Sequence, residues 1–269
     1  MSLQTRLCNK SDHNVVSKTS LKKLFNSFTG LIPIFVFIAV WEIVAKIADN
    51  QLYPPFSDVV REFYNLLFVN GILWTNFLAS FTRVIIGLVS GSTIGLLTGI
   101  ALGRNRVLER IFSPILSIIY PIPALGWLPL LMLWVGINEM LPILIVFICS
   151  FFPIMYNTIT GVKNVDQSYI KAAKTVGATE KEILWKIILP LAVPNIFTGL
   201  KLEAGMAWRV IIAAEMVAIP TGIGVLLMKA ESLIRVDILI VCLMVLSLMC
   251  FLFEKTIKVI EDKITCHWR

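Results

Sequence analysis

Apolar residues run along this chain in long blocks, and the polar residues between them are bunched rather than scattered. Blocks near 29–48, 77–102, 108–136, 140–161, 191–218 and 237–257 each reach the roughly 20 apolar residues that carry an α-helix across a bilayer. The pattern predicts about six spans. The third block contains Pro114, Pro121, Pro123 and Pro129, so it is expected to be kinked or broken, with room for a short seventh segment. The alternating pattern of a membrane β-barrel is absent, which leaves an all-α integral membrane protein. Residues 1–28 read as a polar tail, 29–257 as one transmembrane domain, and 258–269 as a second tail.

The most informative polar stretch is the island at 166–190. Asp166 is placed to cap a short helix in which Tyr169, Ala172, Ala173 and Val176 recur at helical spacing. Gly177 suits the left-handed residue that ends such a helix. Thr179 with Glu182 reads as a capping box opening a second helix, with Ile183, Leu184, Ile187 and Ile188 on one side and Pro190 beyond its end. Two short amphipathic helices around a glycine elbow form a knob fit to dock in a groove of another protein. The same pattern also describes a helix pair lying on the membrane surface.

Composition supports the membrane reading. The chain is 57% hydrophobic and 15% charged, with mean hydropathy +0.84, more apolar surface than a soluble domain of this length encloses. Its net charge of +7 is distributed by topology. Arg6, Lys10, Lys18, Lys22 and Lys23 precede the first block, and Arg104, Arg106 and Arg110 follow the second. Lys163, Lys171, Lys174, Lys181 and Lys186 fill the island, and Lys255, Lys258, Lys263 and Arg269 close the chain. The alternate loops hold only Arg61, Lys229 and Arg235. Both termini and the island are therefore expected in the cytoplasm, and no nucleic-acid partner is needed to explain the charge. The first 28 residues lack the apolar core and cleavage site of a secretory signal.

Little in the sequence points to catalysis. Cys8, Cys149, Cys242, Cys250 and Cys266 are scattered, and His13 and His267 lie in opposite tails, so no metal site is expected. Phosphate-cradling loops, a nucleophile elbow and paired catalytic carboxylates are absent, so no catalytic residue is expected. Energy for any vectorial work must come from a gradient or a partner. A secondary transporter would need ion sites on broken helices in repeated halves, and no second broken segment matches the proline-rich third block.

Inside the spans, small and charged residues carry the remaining signal. Gly87, Gly91, Gly95, Gly99 and Gly103 recur every fourth residue, a spacing that lets helix backbones approach closely in lipid. The stripe drifts by about 40° per step. It is therefore expected to face more than one neighbour, within the subunit in preference to across a dimer. Lys201, Glu203, Arg209 and Glu215 lie in the fifth block, where charges are costly and functional by default. Lys201, Arg209 and Glu215 are pathway candidates. Arg209, near mid-depth, offers an anion a planar fork of donors, while Glu215 has a structural alternative at an outer gate. Glu42 is expected to be a helix-packing partner. Ser57 is placed to cap a short surface helix over 58–68, and Gly222 and Gly224 open an amphipathic turn in the loop 220–235.

The island also carries a family resemblance. Lys171-Ala172-Ala173, Gly177-Ala178 and Ile188-Leu189-Pro190 resemble the cytoplasmic coupling motif of ABC-importer permeases, with Lys171 where the family usually has glutamate. Ser80 to Gly87, Pro121 to Pro129, Trp134-Val135-Gly136, Ala207-Trp208 and Ala213-Ala214-Glu215 are similar to the nitrate, sulfonate, taurine and bicarbonate branch, over residues 33–253. The resemblance implies a type I importer permease of about six transmembrane helices. It implies that Lys171, Ala172, Ala173, Gly177, Ala178, Thr179, Glu182 and Pro190 couple to a cytoplasmic ATPase, which binds ATP and Mg; this chain holds no cofactor itself. It further implies a second, identical permease subunit, a periplasmic or lipid-anchored binding protein, and a prokaryotic inner-membrane location. The implied cargo is a small oxyanion or sulfonate; related permeases carry vitamin precursors.

Overall fold

Apolar blocks interrupted by prolines and short polar turns fold into helices, and the computed structural model describes them over residues 19–48 and 50–265. His13, His267, Cys8, Cys266 and the basic residues before Thr19 lie outside the described residues. No strand occurs among the described residues. Helix α1 (Thr19–Ala48) carries the first block, and α2 (Phe56–Tyr64) with a π turn (Asn65–Val69) makes a short surface element. Helix α3 (Ile72–Arg104) follows Gly71, which has the positive φ of 63°. Helices α4 (Arg106–Ile119) and α5 (Leu128–Val135) flank a 3-10 turn (Ala124–Trp127), and α6 is Met140–Lys163. Then come α7 (Gln167–Thr175), α8 (Glu180–Ile183) with a π turn (Leu184–Ile188), α9 (Leu189–Ala218), α10 (Ile223–Ser232) and α11 (Val236–Thr265).

Helices α3, α6, α11 and the run Glu180–Val217 are each long and apolar enough to cross a membrane. The third block is broken as its prolines predict. Segments Arg106–Ile119 and Ala124–Val135 meet at 85°, as a broken span or a re-entrant loop. Pro121 and Pro123 each withhold a backbone donor just where α4 ends, whereas Pro114 is absorbed within α4. Among the described residues four helices are thus long and apolar enough to cross, or five if the bent pair is one span, against the six expected. The first block is the 30-residue helix α1, which is not among them.

Three differences from the sequence expectation have a common cause. The first apolar block is helical from Thr19 and the last as far as Thr265, so the expected tails 1–28 and 258–269 are partly helix. The helix over 180–188 does not stop before Pro190 either; it continues into α9 as one body. The π turn hands the backbone ladder from Leu184 O to Leu189 N, so the ladder is already rearranged where Pro190 withholds a donor at the start of α9. Polarity and proline report where the lipid ends or a ladder must be rearranged, not where a helix ends.

Helix α6 packs along α3 on one side and α9 on the other, and α9 packs along α11. Trp208 is fully buried at the centre of the largest core, with ring centroids of Phe77, Phe81 and Phe253 at 6.3, 6.4 and 5.3 Å. The α3–α6 contact is a glycine seam. A methyl placed on Gly91 or Gly95 would lie 2.7 Å from the carbonyl oxygen of Phe147 or Phe151. On Gly87, Gly99 and Gly103 it would lie 2.7, 2.6 and 2.9 Å from the Cβ atoms of Val146, Thr158 and Val162. All five glycines therefore face α6, not several neighbours as the drift predicts. The contact line also advances by about four residues per step along α6, so the two stripes rotate together and the helices wind about each other.

Gly95→Leu is expected to leave no detergent-stable protein, since the added side chain meets backbone that no rotamer change can move. The check is the monodisperse yield after gentle solubilisation, and a normal yield would remove the seam from its place in the fold.

Candidate functional site

Two polar constructions stand at opposite ends of the bundle, joined by the continuous helix Glu180–Val217. The first is the island. Asp166 caps α7 by accepting from Ser168 N at 2.9 Å, a backbone hydrogen bond that holds its carboxyl below the usual range. Helix α7 ends in a Schellman turn, with Ala178 N donating to Ala173 O and Gly177 N to Lys174 O, both at 3.0 Å. Gly177 takes φ 84°, the left-handed region that favours glycine. Thr179 and Glu182 form the reciprocal capping box, at 3.3 and 3.0 Å. Glu180 holds the elbow closed through Lys174 at 2.7 Å and ties it to the end of α3 through Arg104 at 2.9 Å.

The island's apolar residues divide between two surfaces. Ile170, Ala173 and Ala178 turn inward on a core of Val162, Val165, Ile183, Ile188, Ala192 and Ile196. Tyr169, Ala172 and Val176 turn outward, and Val176 is 89% exposed. Lys171, Gly177 and Thr179 are exposed, while Glu182 and Pro190 are half-buried. The knob is thus folded against its own bundle and still presents an unpartnered apolar strip at its tip.

The second construction is a buried ionic knot where α3, α6, α9 and α10 converge. Glu215 is fully buried and accepts from Arg83 Nη1 at 2.7 Å, Ser80 Oγ at 2.8 Å and Gly224 N at 3.1 Å. Arg83, 3% exposed, also donates to Thr221 O at 2.7 Å, Thr221 Oγ1 at 2.8 Å and Glu139 Oε2 at 2.6 Å. Asn76 Oδ1 and Ser80 Oγ accept from Gly222 N and Ile223 N at 2.8 and 2.9 Å. The orphan donors at the start of α10 are therefore satisfied by side chains of other helices. Gly222, at φ 132°, leaves the space that the Glu215 carboxylate fills, and Gly224 lets the start of α10 approach the Ile212 carbonyl of α9.

The sequence-derived pathway candidates are not brought together. Lys201 pairs with Glu261 of α11 at 2.6 Å, and Glu215 is locked in the knot. Arg209 is exposed, reaches Met206 Sδ at 3.8 Å, and has no ion pair among the described residues. Glu203, 6% exposed, accepts from Cys149 Sγ at 3.4 Å. Among the described residues no group of three or more His, Cys, Asp or Glu could hold a metal.

Sequence reasoning saw Arg83 only as a letter in a motif. The signal was present, because a lone arginine in an apolar span needs a buried acid, and Glu215 needs a base. Ser57 does not cap α2 with its side chain. Its N–H and hydroxyl both donate to Glu42 of α1, at 3.1 and 2.9 Å, so the cap comes from another helix. The loop 220–235 closes on Arg235, which bridges Glu62 at 3.1 Å and Asp237 at 2.6 Å.

Comparison with known proteins gives the following. A family model described as binding-protein-dependent transport system inner membrane component matches residues 91–265. A Methanocaldococcus jannaschii chain named at the level of an ABC transporter permease protein is 37% identical, over 84% of this chain and 86% of its own length. The taurine transport system permease protein TauC of Escherichia coli is 31% identical over 86% of each chain. The nitrate import permease protein NrtB of Synechocystis sp. is 29% identical over 86% of each. Among solved structures, a chain of the MetNI methionine ABC transporter, in inward facing conformations, aligns with a TM-score of 0.52. That alignment covers 72% of this chain and 97% of the other at 18% identity, a likeness of fold.

The knot generates a test. Glu215→Gln leaves a buried guanidinium short of its enclosed counter-charge and is expected to cost about 3–5 kcal/mol. The double variant Arg83→Gln/Glu215→Gln is expected to lose less than the sum of its singles by at least about 1 kcal/mol, read from thermal unfolding in mild detergent. Strictly additive losses would mean that the two groups do not act as a pair.

Proposed function

The chain belongs to the family of binding-protein-dependent transport system inner membrane components, and from that premise we propose that two copies of it enclose a path for a small oxyanion or sulfonate. The named cargo of two relatives, taurine and nitrate, supports this class. Both are compact solutes with a delocalised anionic head.

The observation that carries the proposal is the exposed strip Tyr169, Ala172 and Val176 on a knob whose interior is already packed. Apolar side chains outside the bilayer at such exposure need a protein cover, and the groove of a cytoplasmic ATPase is the cover this reading assigns. ATP and its Mg ion belong to that partner. Lys171, Ala172, Gly177 and Thr179 form the rim of the contact; Ala173, Ala178, Glu182 and Pro190 shape it from beneath. The basic residues around the island support a cytoplasmic position for it and for both termini. The knot at the other end then faces the side from which a substrate-binding protein delivers cargo.

Arg209 supports the anion assignment. A guanidinium about 14 Å inside the end of α9, exposed and without an ion pair among the described residues, is costly against lipid. Facing a water-filled path between two copies, its planar donors would meet an oxyanion head. Lys201, paired with Glu261, contributes structure at the cytoplasmic end.

Gently solubilised tagged protein is expected to bring down an ATP-binding subunit at about equal stoichiometry, identified by mass; recovery of the chain alone across several mild detergents would overturn the docking reading. Gly177→Pro, which cannot adopt φ 84°, is expected to leave the membrane part folded while lowering transport-stimulated ATP hydrolysis about tenfold. Undiminished stimulation would argue that the elbow does not couple.

A further inference from the structure

A cavity of about 950 Å³ opens between the knob and the first turns of α4. Its walls come from the ends of α3 and α6, from α7 and α8, and from the α4 residues Arg106, Glu109, Arg110 and Ser113. Arg104 and Lys163 also line it, so four cations face two carboxylates, Glu109 and Glu180. Both carboxylates are already engaged. Glu109 pairs with Lys163, and Glu180 is shared by Arg104 at 2.9 Å and Lys174 at 2.7 Å.

That leaves Arg106 and Arg110. Neither has a carboxylate partner among the described residues, and both are exposed along the cavity. They stand one turn apart on α4, and Ser113 follows at the next helical step, so two forked guanidinium groups and a hydroxyl share one face. The positive end of the α4 dipole adds to the field there, while its first-turn donors are occupied by the Asn105 side chain, which accepts from Val107 N at 2.9 Å and Leu108 N at 3.3 Å. Helix α4 contributes no buried residue to the bundle, so no core contact fixes this face against α7.

We propose that this cavity is an anion site, in which a tetrahedral oxyanion of the phosphate or sulfate type is held by Arg106 and Arg110 with a hydrogen bond from Ser113. The guanidinium fork matches two oxygens of such a group, and the cavity is several times larger than the anion, leaving room for water or for the glycerol of a headgroup. Two sources share that chemistry, a free oxyanion and the phosphate of an acidic phospholipid. An occupant would brace α4 against Gln167 and Ile170 of the knob and so stiffen the element that carries the exposed strip. The site stands on these residues alone and does not depend on what the protein transports.

The full-length chain is reconstituted in nanodiscs of phosphatidylcholine and titrated with radiolabelled inorganic sulfate. In parallel, discs containing phosphatidylglycerol are examined by native mass spectrometry for lipid that stays with the protein. For a free-anion site, saturable sulfate binding is expected, weakened about tenfold or more in R106Q/R110Q and less in S113A. For a headgroup site, phosphatidylglycerol is expected to remain on the natural chain and to leave R106Q/R110Q. Both arginines are exposed, so the variant is expected to fold, and its melting temperature checks this; if it fails, R110Q alone gives the same readout. Absence of sulfate and lipid binding alike, or equal binding by R106Q/R110Q, would overturn the proposal. So would a variant that keeps the anion and instead loses an ATP-binding subunit in the pull-down, since the arginines would then serve a protein contact.

Discussion

The backbones of α3 and α6 lie so close that no side chain fits between them, and most of the fold is arranged around that fact. Two helices in lipid gain little from burying apolar surface, because the tails around them are as apolar as leucine. Removing the side chains along one stripe instead lets dispersion forces act between the backbones themselves. Helix α6, held this way, offers its other side to α9, and α9 then carries α11. The seam also fixes the rotation of α3, which turns Ser80 and Arg83 toward Glu215 rather than toward lipid.

Charge is managed in two ways at the two ends. At the knot, Arg83 and Glu215 are enclosed, and each finds further polar partners, so desolvation is met by several directed bonds rather than by one pair. At the island the ion pairs are exposed, and contacts such as Glu182 with Lys186 add little stability in water. Their value is positional. Lys174 and Arg104 on Glu180 set where the elbow sits, while the fold beneath it is secured by Ile183, Val165 and Ala192.

Much of this was legible in the residue pattern, for reasons that differ from place to place. The break in the third block follows from proline chemistry, and the capping box and glycine elbow are local motifs whose partners lie within five residues. What escaped was long-range. The Glu42 cap on Ser57 spans 15 residues and the Arg83–Glu215 bond spans 132, and spacing along the chain does not encode such pairings. The fate of Pro190 was missed because a π turn is a response to local conflict, not a preference with its own sequence signature. The single-neighbour seam was missed because the rotation of one stripe has meaning only against the rotation of the other.

The helix that begins at the capping box Thr179–Glu182 and ends beside Glu215 is one continuous body of 38 residues, about 57 Å long. A lever of that kind changes what transmission across the membrane requires. No relay of switching side chains is needed between its ends, because tilting a stiff rod about a pivot near its centre, where it packs along α6, moves both ends at once and in opposite directions. A tilt of about 5° would swing each end by some 2–3 Å, comparable to the length of the hydrogen bonds that hold the knot. The π turn and Pro194 are then the places where the rod can bend, and their stiffness sets how much of a push at one face arrives at the other.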